Sequence, residues 1–349
     1  MPRLRRADCS TAGIRRVRRG RGFSYVDEAT GETVDDPETL ERIRALTIPP
    51  AWQHVWICPW PNGHIQAIGT DARGRKQYCY HDRWREHRDR EKFDRMLDFA
   101  RSLPALRRTA GHQLRYREPT RERVLAGAVR LLDRGFFRIG GEEYAEENET
   151  YGLATMRKRH ARLGPGNLIE FDYPAKGGQR RLQSIVDPQV YKLVGELKRR
   201  RGGGPDLLAY KQAGRWRDVQ SADVNAYIKQ VTGGDFTAKD FRTWSATVLA
   251  AVAVAVSGRA AASPTARKRA VARAVKEVAY YLGNTPAVCR ASYIDPRVFD
   301  AYAAGVTIAG ALDALGDVDL GEPAIQGAVE AAVIELLDDE PRSVLAQAA

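Results

Sequence analysis

The pattern of apolar residues changes near residue 85, and that change limits the fold more than any other feature of the chain. Before it lie short runs rich in β-branched and aromatic residues, bounded by turn residues. Phe23–Asp27 and Glu32–Val34 flank an Ala29-Thr30-Gly31 turn, and Val55–Cys58, His64–Gly69 and Lys76–His81 are separated by Asn62-Gly63 and the Asp71–Gly74 segment. Asp36 is placed to cap a short helix that has Pro37 at its first position and runs to Leu46, with Pro49-Pro50 as its stop.

After residue 85 the apolar period becomes helical. Trp84–Leu103 and Thr120–Asp133 read as helices, the second with a stripe of Val124, Ala128, Leu131 and Leu132. Residues 150–186 return to strands, with Lys176-Gly177-Gly178 turning Leu168–Tyr173 into Arg180–Val186. From residue 188 helices are expected at 188–201, 221–231, 239–256, 264–281 and 322–337, and Gly202–Pro205 is a break rather than a linker. The expected fold is α+β: a β-rich domain at 23–85, then a larger, mostly helical domain at 86–349 carrying one β-hairpin. Residues 1–22, with eight arginines and no apolar stretch, read as a flexible basic arm rather than a signal peptide.

Charge narrows the partner. The chain of 349 residues has a formal net charge of +12. Residues 301–349 hold nine acidic residues against the single base Arg342, a net −8, which leaves +20 on the first 300. Self-repulsion of that size is usually offset by a polyanion. No basic amphipathic helix with an apolar aromatic face supports a membrane surface, so nucleic acid is the expected partner. The longest apolar run, Ala246–Val256, is far short of the ~20 residues a span needs and reads as a buried helix.

Several chemistries find no support. Cys9, Cys58, Cys79 and Cys289 form no CxxC, as expected of reduced intracellular thiols rather than a disulfide framework or zinc site. There is no GxxxxGK[ST] and no HExxH, and Asp317-Val-Asp319 reads as a solvated loop in the acidic tail. The expectation is therefore no cofactor and no metal. Cutting a phosphodiester without a metal would call on arginines to hold the negative charge of the transition state. It would also call on a lysine to protonate the leaving oxygen and a tyrosine to attack. Arg138, Lys176, Arg242, Asn284 and Tyr293 lie in segments that suit such roles, but spacing alone does not select them.

A resemblance does. In order along the chain stand Ile-Pro-Pro-Ala-Trp52, Gly-Arg-Lys-Gln-Tyr-Cys-Tyr-His81, Phe-Phe-Arg-Ile-Gly140, Glu-Asn-Glu-Thr-Tyr-Gly152, the lysine hairpin, Lys-Asp-Phe-Arg-Thr243 and Ser-Tyr-Ile-Asp-Pro296. From about Gly22 to about Ala304 the chain resembles the type IB DNA topoisomerases of the compact poxvirus and bacterial branch. The resemblance implies a catalytic domain related to that of the tyrosine recombinases. It implies Tyr293 as the nucleophile forming a 3′-phosphotyrosyl ester, Arg138 and Arg242 as the clamp on the scissile phosphate, and Lys176 as the hairpin general acid. Asn284 falls where many members have histidine. Gln77, Tyr78 and Tyr80 match a strand that reads the major groove and contacts phosphate, Tyr144 matches a phosphate contact, and Lys239 is a further candidate. Gly141 stands where the poxvirus enzymes have lysine.

The function so implied is relaxation of supercoils by transient single-strand cleavage, swivelling and religation, without ATP or a required metal. The first domain would clamp duplex DNA. The expected enzyme is a monomer without membrane association, cytoplasmic and nucleoid-associated. Two alternatives stand beside it. A tyrosine recombinase or integrase would usually show His-x-x-Arg around the second arginine, where this chain has Lys239-Asp-Phe-Arg242. A non-catalytic basic DNA-binding protein would account for the charge but has no use for the five-residue set.

Overall fold

The computed structural model describes residues 3–258, 263–316 and 323–338. The Asp317–Asp319 segment and the last eleven residues of the acidic tail lie outside the described residues. The chain divides into two compact units, Met1–Asp94 and Arg95–Ala349. The sequence placed that boundary at 85; it falls instead inside a long helix.

The first unit is built on a five-stranded antiparallel sheet. Its elements are β1 (Ile14–Arg19), β2 (Gly22–Asp27), α1 (Pro37–Ala45), β3 (Gln53–Ile57), β4 (Ile65–Thr70) and β5 (Lys76–Tyr80), with strand order β2-β1-β3-β4-β5. The Asp36 side chain accepts the N–H of Thr39 at 2.8 Å and so caps α1, with Pro37 at the first position where no N–H is needed. Ile43 of α1 packs with Ile14, Val55, Ile57 and Ala67 to make the core. Glu32–Val34, expected as a strand, contributes only a bridge between Val26 and Thr33.

The basic arm is the clearest correction. Ile14–Arg19 pairs with both β2 and β3, so the arginine-rich segment is an internal strand. Ile14 supplies the buried anchor, and Arg16 is bound rather than loose. Its guanidinium donates to the carbonyls of Ile48 at 3.2 Å and Trp52 at 2.7 Å and lies over the Phe23 ring at 4.2 Å. Even Arg5 is held by a bridge to Gly63. Four arginines in six residues hid the strand, because the chain satisfies Arg16 with carbonyls instead of solvent.

α2 (Asp82–Gln113) crosses the division between the units and continues through Pro104, past the end at Leu103 that the sequence suggests. Within the second unit follow α3 (Arg121–Gly135), α4 (Glu142–Asn148), β6 (Ala161–Leu163), β7 (Leu168–Pro174), β8 (Arg180–Val186) and α5 (Pro188–Arg199). Next come β9 (Ala209–Gln212), β10 (Arg215–Asp218), α6 (Ser221–Thr232), α7 (Ala238–Gly258), α8 (Pro264–Leu282), α9 (Pro286–Ser292), α10 (Arg297–Ala303), α11 (Ala309–Leu315) and α12 (Pro323–Leu337). The lysine hairpin is the β7–β8 pair of a three-stranded sheet. The β9–β10 hairpin is a second one that the sequence does not reveal. Its strands have four residues each, and its turn is Ala213-Gly214, both at positive φ, rather than Asn-Gly.

α7 is the apolar helix expected around Ala246–Val256, and it is the one described helix long and apolar enough to cross a membrane by length and composition. In this unit it packs with α3, α8, α10 and α12. α12 docks through Val329, Val333 and Leu337 and through a buried acid, Glu330. Glu330 accepts Arg107 Nη2 at 2.8 Å and Trp244 Nε1 at 3.0 Å, while Arg107 also donates to Asp133 at 2.7 Å. Burial alone would lower the Arg107 pKa; the bonds to Glu330 and Asp133 reverse that and keep the cation charged. One buried network thus joins α2, α3, α7 and α12.

Candidate active site

The site forms where α7 and the end of α3 meet the turn between α8 and α9. α3 stops at Gly135, and Phe136 takes the left-handed conformation at φ 55° that ends the helix. Phe137 is fully buried and pins the chain, leaving Arg138 beside the site. The backbone of 138–140 is locked to 152–154: Leu153 N donates to Arg138 O at 2.8 Å and Ala154 N to Ile139 O at 2.7 Å. The two segments cross at Gly140 and Gly152, where a Cβ on Gly152 would lie 2.4 Å from Gly140 N. Two of the sequence motifs therefore meet here, and their glycines are what the crossing requires.

Arg242 sits in the first turns of α7. Asp240 accepts from Thr237 N at 2.7 Å and Oγ1 at 2.9 Å, closing the helix start. The α8–α9 turn receives the arginines. α8 ends at Gly283 with φ 61°, and Thr285 caps α9. Arg138 Nη2 donates to Gly283 O at 2.9 Å and to Asn284 Oδ1. Arg242 donates to Phe136 O, to Leu282 O at 2.8 Å and to Asn284 Oδ1 at 3.4 Å. Free carbonyls at a helix C-terminus carry partial negative charge, and guanidiniums are the natural partners.

Tyr293 follows α9, with the Arg242 guanidinium 5.3 Å from its ring centroid. Its backbone is fixed by Thr247, whose hydroxyl lies 3.3 Å from Tyr293 O and accepts Asp295 N at 3.1 Å. Burial pushes the Tyr293 phenol up, but the Arg242 charge, hydrogen bonds from Arg242 and Asn284, and the Arg138 charge outweigh it, and the net shift is downward. Arg242 is lowered to about 10 by burial first and by Arg138 second. Arg138 is lowered by burial, with Tyr293 opposing and Arg181 adding to the fall. The arrangement is a half-buried phenol facing two concentrated positive charges, a setting for attack on an anionic phosphorus centre.

Residues 81–302 match the family described as eukaryotic DNA topoisomerase I, catalytic core, a range that holds all five candidates. Residues 22–71 match that described as bacterial DNA topoisomerase IB, N-terminal domain. DNA topoisomerase 1B of Acanthamoeba polyphaga mimivirus is 33% identical over 301 residues, covering 83% of this chain and 87% of the viral one. The chain belongs to the type IB DNA topoisomerase family. DNA topoisomerase I of monkeypox virus is 21% identical over 236 residues, 67% of this chain and 71% of the viral one. DNA topoisomerase 1 alpha of Arabidopsis thaliana is 26% identical over 161 residues, which is 46% of this chain and 16% of the plant protein.

In this topoisomerase four of the five residues singled out in the sequence converge: Arg138, Arg242, Asn284 and Tyr293. Lys176 does not join them. It stands exposed at the tip of the β7–β8 hairpin, between Ala175 and two glycines at positive φ, with no bonded partner among the described residues. Tyr144 and Lys239 are exposed on α4 and in the first turn of α7. In the first unit, Tyr78 and Tyr80 are exposed on one face of the edge strand β5, their rings stacked at 5.8 Å. Gln77 is on the opposite face and donates to Asp71 Oδ2 at 2.9 Å, so strand alternation separates it from the two tyrosines.

Two residues of the site carry no motif. Thr247, fully buried one turn after Thr243, anchors the tyrosine segment. Arg181 in β8 donates to Tyr280 O at 3.0 Å and Tyr281 O at 2.6 Å, adding a third guanidinium to the end of α8. Neither has a sequence signal beyond residue type. Among the described residues no three His, Cys, Asp or Glu side chains gather into a set that could hold a metal ion.

Proposed function

We propose that Tyr293, its phenol proton given up to solvent, attacks a phosphodiester of duplex DNA, forming a 3′-phosphotyrosyl ester as the bond from phosphorus to the 5′-oxygen breaks. The observation that carries this reading is the convergence of Arg138, Arg242 and Asn284 on Tyr293. Arg138 and Arg242 hold the non-bridging oxygens as charge builds on them. Arg242 Nε is buried without a partner among the described residues, a donor suited to an oxyanion. Lys176 delivers the proton that the departing 5′-oxygen needs. The same hydroxyl then reverses the step, returning the proton and releasing Tyr293. Between the two steps the free strand swivels about the intact one.

The bond energy is kept in the ester, so supercoils of either sign relax without ATP, and the protein cations take the place of a metal. The order first arginine, hairpin lysine, second arginine, tyrosine also supports kinship with the tyrosine-recombinase catalytic fold. One chain carries all five groups, which supports a monomer; a duplex-DNA substrate supports a cytoplasmic enzyme at the nucleoid. Tyr78, Tyr80, Tyr144 and Lys239, all exposed, would contact the duplex backbone and grooves, whereas Gln77, on the other face of β5, would first have to give up its bond to Asp71. Relaxation of a plasmid in EDTA without ATP tests the reading. Recombination between paired sites, or salt-sensitive binding with no relaxation, would replace it with one of the two alternatives.

A further inference from the structure

The β7–β8 hairpin carries Lys176 in a turn closed by two backbone bonds, Ala175 N to Gln179 O at 2.8 Å and Gly178 N to Ala175 O at 2.9 Å. Gly177 and Gly178, at φ 81° and 74°, supply the left-handed positions that this turn needs. Lys176 lies there exposed. Lower down, the inward residues of β8 alternate: Arg181, Gln183, Ile185. Ile185 is buried, and Gln183 accepts the Tyr173 hydroxyl at 2.6 Å and donates to Gly135 O at the end of α3. Arg181 is the inward residue nearest the tip. It reaches out of the sheet to the carbonyls of Tyr280 and Tyr281, close to a hundred residues on. Its Nη1 also packs on Gly283, where a Cβ would lie 2.9 Å away.

We propose that Arg181 is a positioning residue that fastens the lysine hairpin to the C-terminus of α8, so that Lys176 keeps a fixed place relative to Asn284 and Tyr293. The helix end is the anchor: α8 has nineteen residues, with Val275, Val278, Ala279 and Leu282 buried. Arg181 binds two of its terminal carbonyls by charge-assisted bonds, the strongest kind available there. The adjacent carbonyls of Leu282 and Gly283 are held by Arg242 and Arg138. One helix end is thus the common reference for the phosphate clamp and the proton donor. A general acid displaced by an ångström loses much of its effect. This inference rests on Lys176 being the general acid.

The test compares two leaving groups in single-turnover cleavage of a duplex oligonucleotide. One substrate has the ordinary 5′-oxygen at the scissile bond; the other has a bridging 5′-sulfur, which departs as a thiolate and needs no proton. Arg181→Ala should slow the oxygen substrate by about 10- to 100-fold and the sulfur substrate by less than about threefold. Arg181→Lys, which keeps donors for both carbonyls, should stay within about fivefold of wild type on either. Arg181→Gln is run beside them, with thermal melts as a check on folding. Equal slowing of the two substrates, or no slowing of either, overturns the proposal. Lys176→Ala separates the two layers. If sulfur restores Lys176→Ala but not Arg181→Ala, only the role of Arg181 falls; if sulfur fails to restore Lys176→Ala, the general-acid reading falls and takes the positioning role with it.

Discussion

Arg138 donates through Nη2 to Oδ1 of Asn284, the same oxygen that Arg242 approaches at 3.4 Å. A neutral acceptor between two guanidiniums holds them together without cancelling their charge. On the proposed mechanism, an amide rather than a carboxylate leaves both guanidiniums available to the phosphate. Asn284→Asp should raise the melting temperature, because a half-buried carboxylate pairs both arginines, and should slow cleavage by roughly 100-fold or more, because the phosphate now competes with it. A faster enzyme, or a less stable one, would contradict this. Asn284→Ala should slow cleavage by about 10- to 100-fold without the gain in stability.

The crossing of Gly140 and Gly152 supplies a pair of substitutions that differ by one residue's surroundings. Gly152→Ala puts a methyl 2.4 Å from Gly140 N and 2.7 Å from Arg138 O, so the backbone carrying Arg138 must move. It should destabilise the protein by about 1–3 kcal/mol and slow cleavage. Gly141, the N-cap of α4 at φ −124° with nothing within 4 Å of where a methyl would stand, has room for alanine and should lose no more than about 1 kcal/mol, the capping difference alone. Gly141→Lys should also fold normally and steepen the salt dependence of DNA binding by about one ion. Equilibrium melts and binding titrations between 50 and 200 mM salt, roughly the range over which phosphate contacts are lost, read these outcomes.

Much of this site was legible before the fold was known, and the reasons are physical. The motifs Phe-Phe-Arg-Ile-Gly140 and Glu-Asn-Glu-Thr-Tyr-Gly152 each end on a glycine whose neighbour is the other's backbone, so a local string marks a point of contact. The cap at Asp36 and the turn at Lys176-Gly177-Gly178 were readable because their chemistry is local. What could not be read depends on partners far away in the chain. β1 looked like a loose arm because Arg16, at its centre, has carbonyl partners more than thirty residues on. Arg181 and Thr247 carry no spacing signal, since their partners lie at α8 and at Tyr293. The same holds for α12: composition gave an acidic helix, while its docking depends on Arg107 and Trp244.

The Glu330 network gives the C-terminal helix a structural role that can be measured. Glu330→Ala leaves Trp244 Nε1 buried without an acceptor and Arg107 with Asp133 alone. The loss should be about 1–3 kcal/mol in a denaturant melt. Glu330→Gln, which keeps an acceptor for Trp244, should lose less. Equal losses for the two would mean that the charge on Arg107, not the indole bond, dominates.

The pH dependence follows from one shifted group. The Tyr293 phenol is lowered from 10, so more phenolate is present at any pH below that value. Cleavage should rise with pH through the neutral range, by up to about tenfold per unit while phenolate is the minor form. The Arg242 guanidinium, though lowered by burial, stays charged across this range and does not limit the rise. Single-turnover rates from about pH 6 to about pH 9 would show the rise. A flat profile would count against phenolate attack.

The central claim is that Tyr293 becomes covalently bound to DNA. The direct measurement is to quench a cleavage reaction with SDS, digest the protein and locate the nucleotide adduct by mass. The account predicts one adduct, on the peptide holding Tyr293, joined to a 3′ phosphate and absent from Tyr293→Phe. An adduct on another residue, a 5′ linkage, or full relaxation activity in Tyr293→Phe would contradict it.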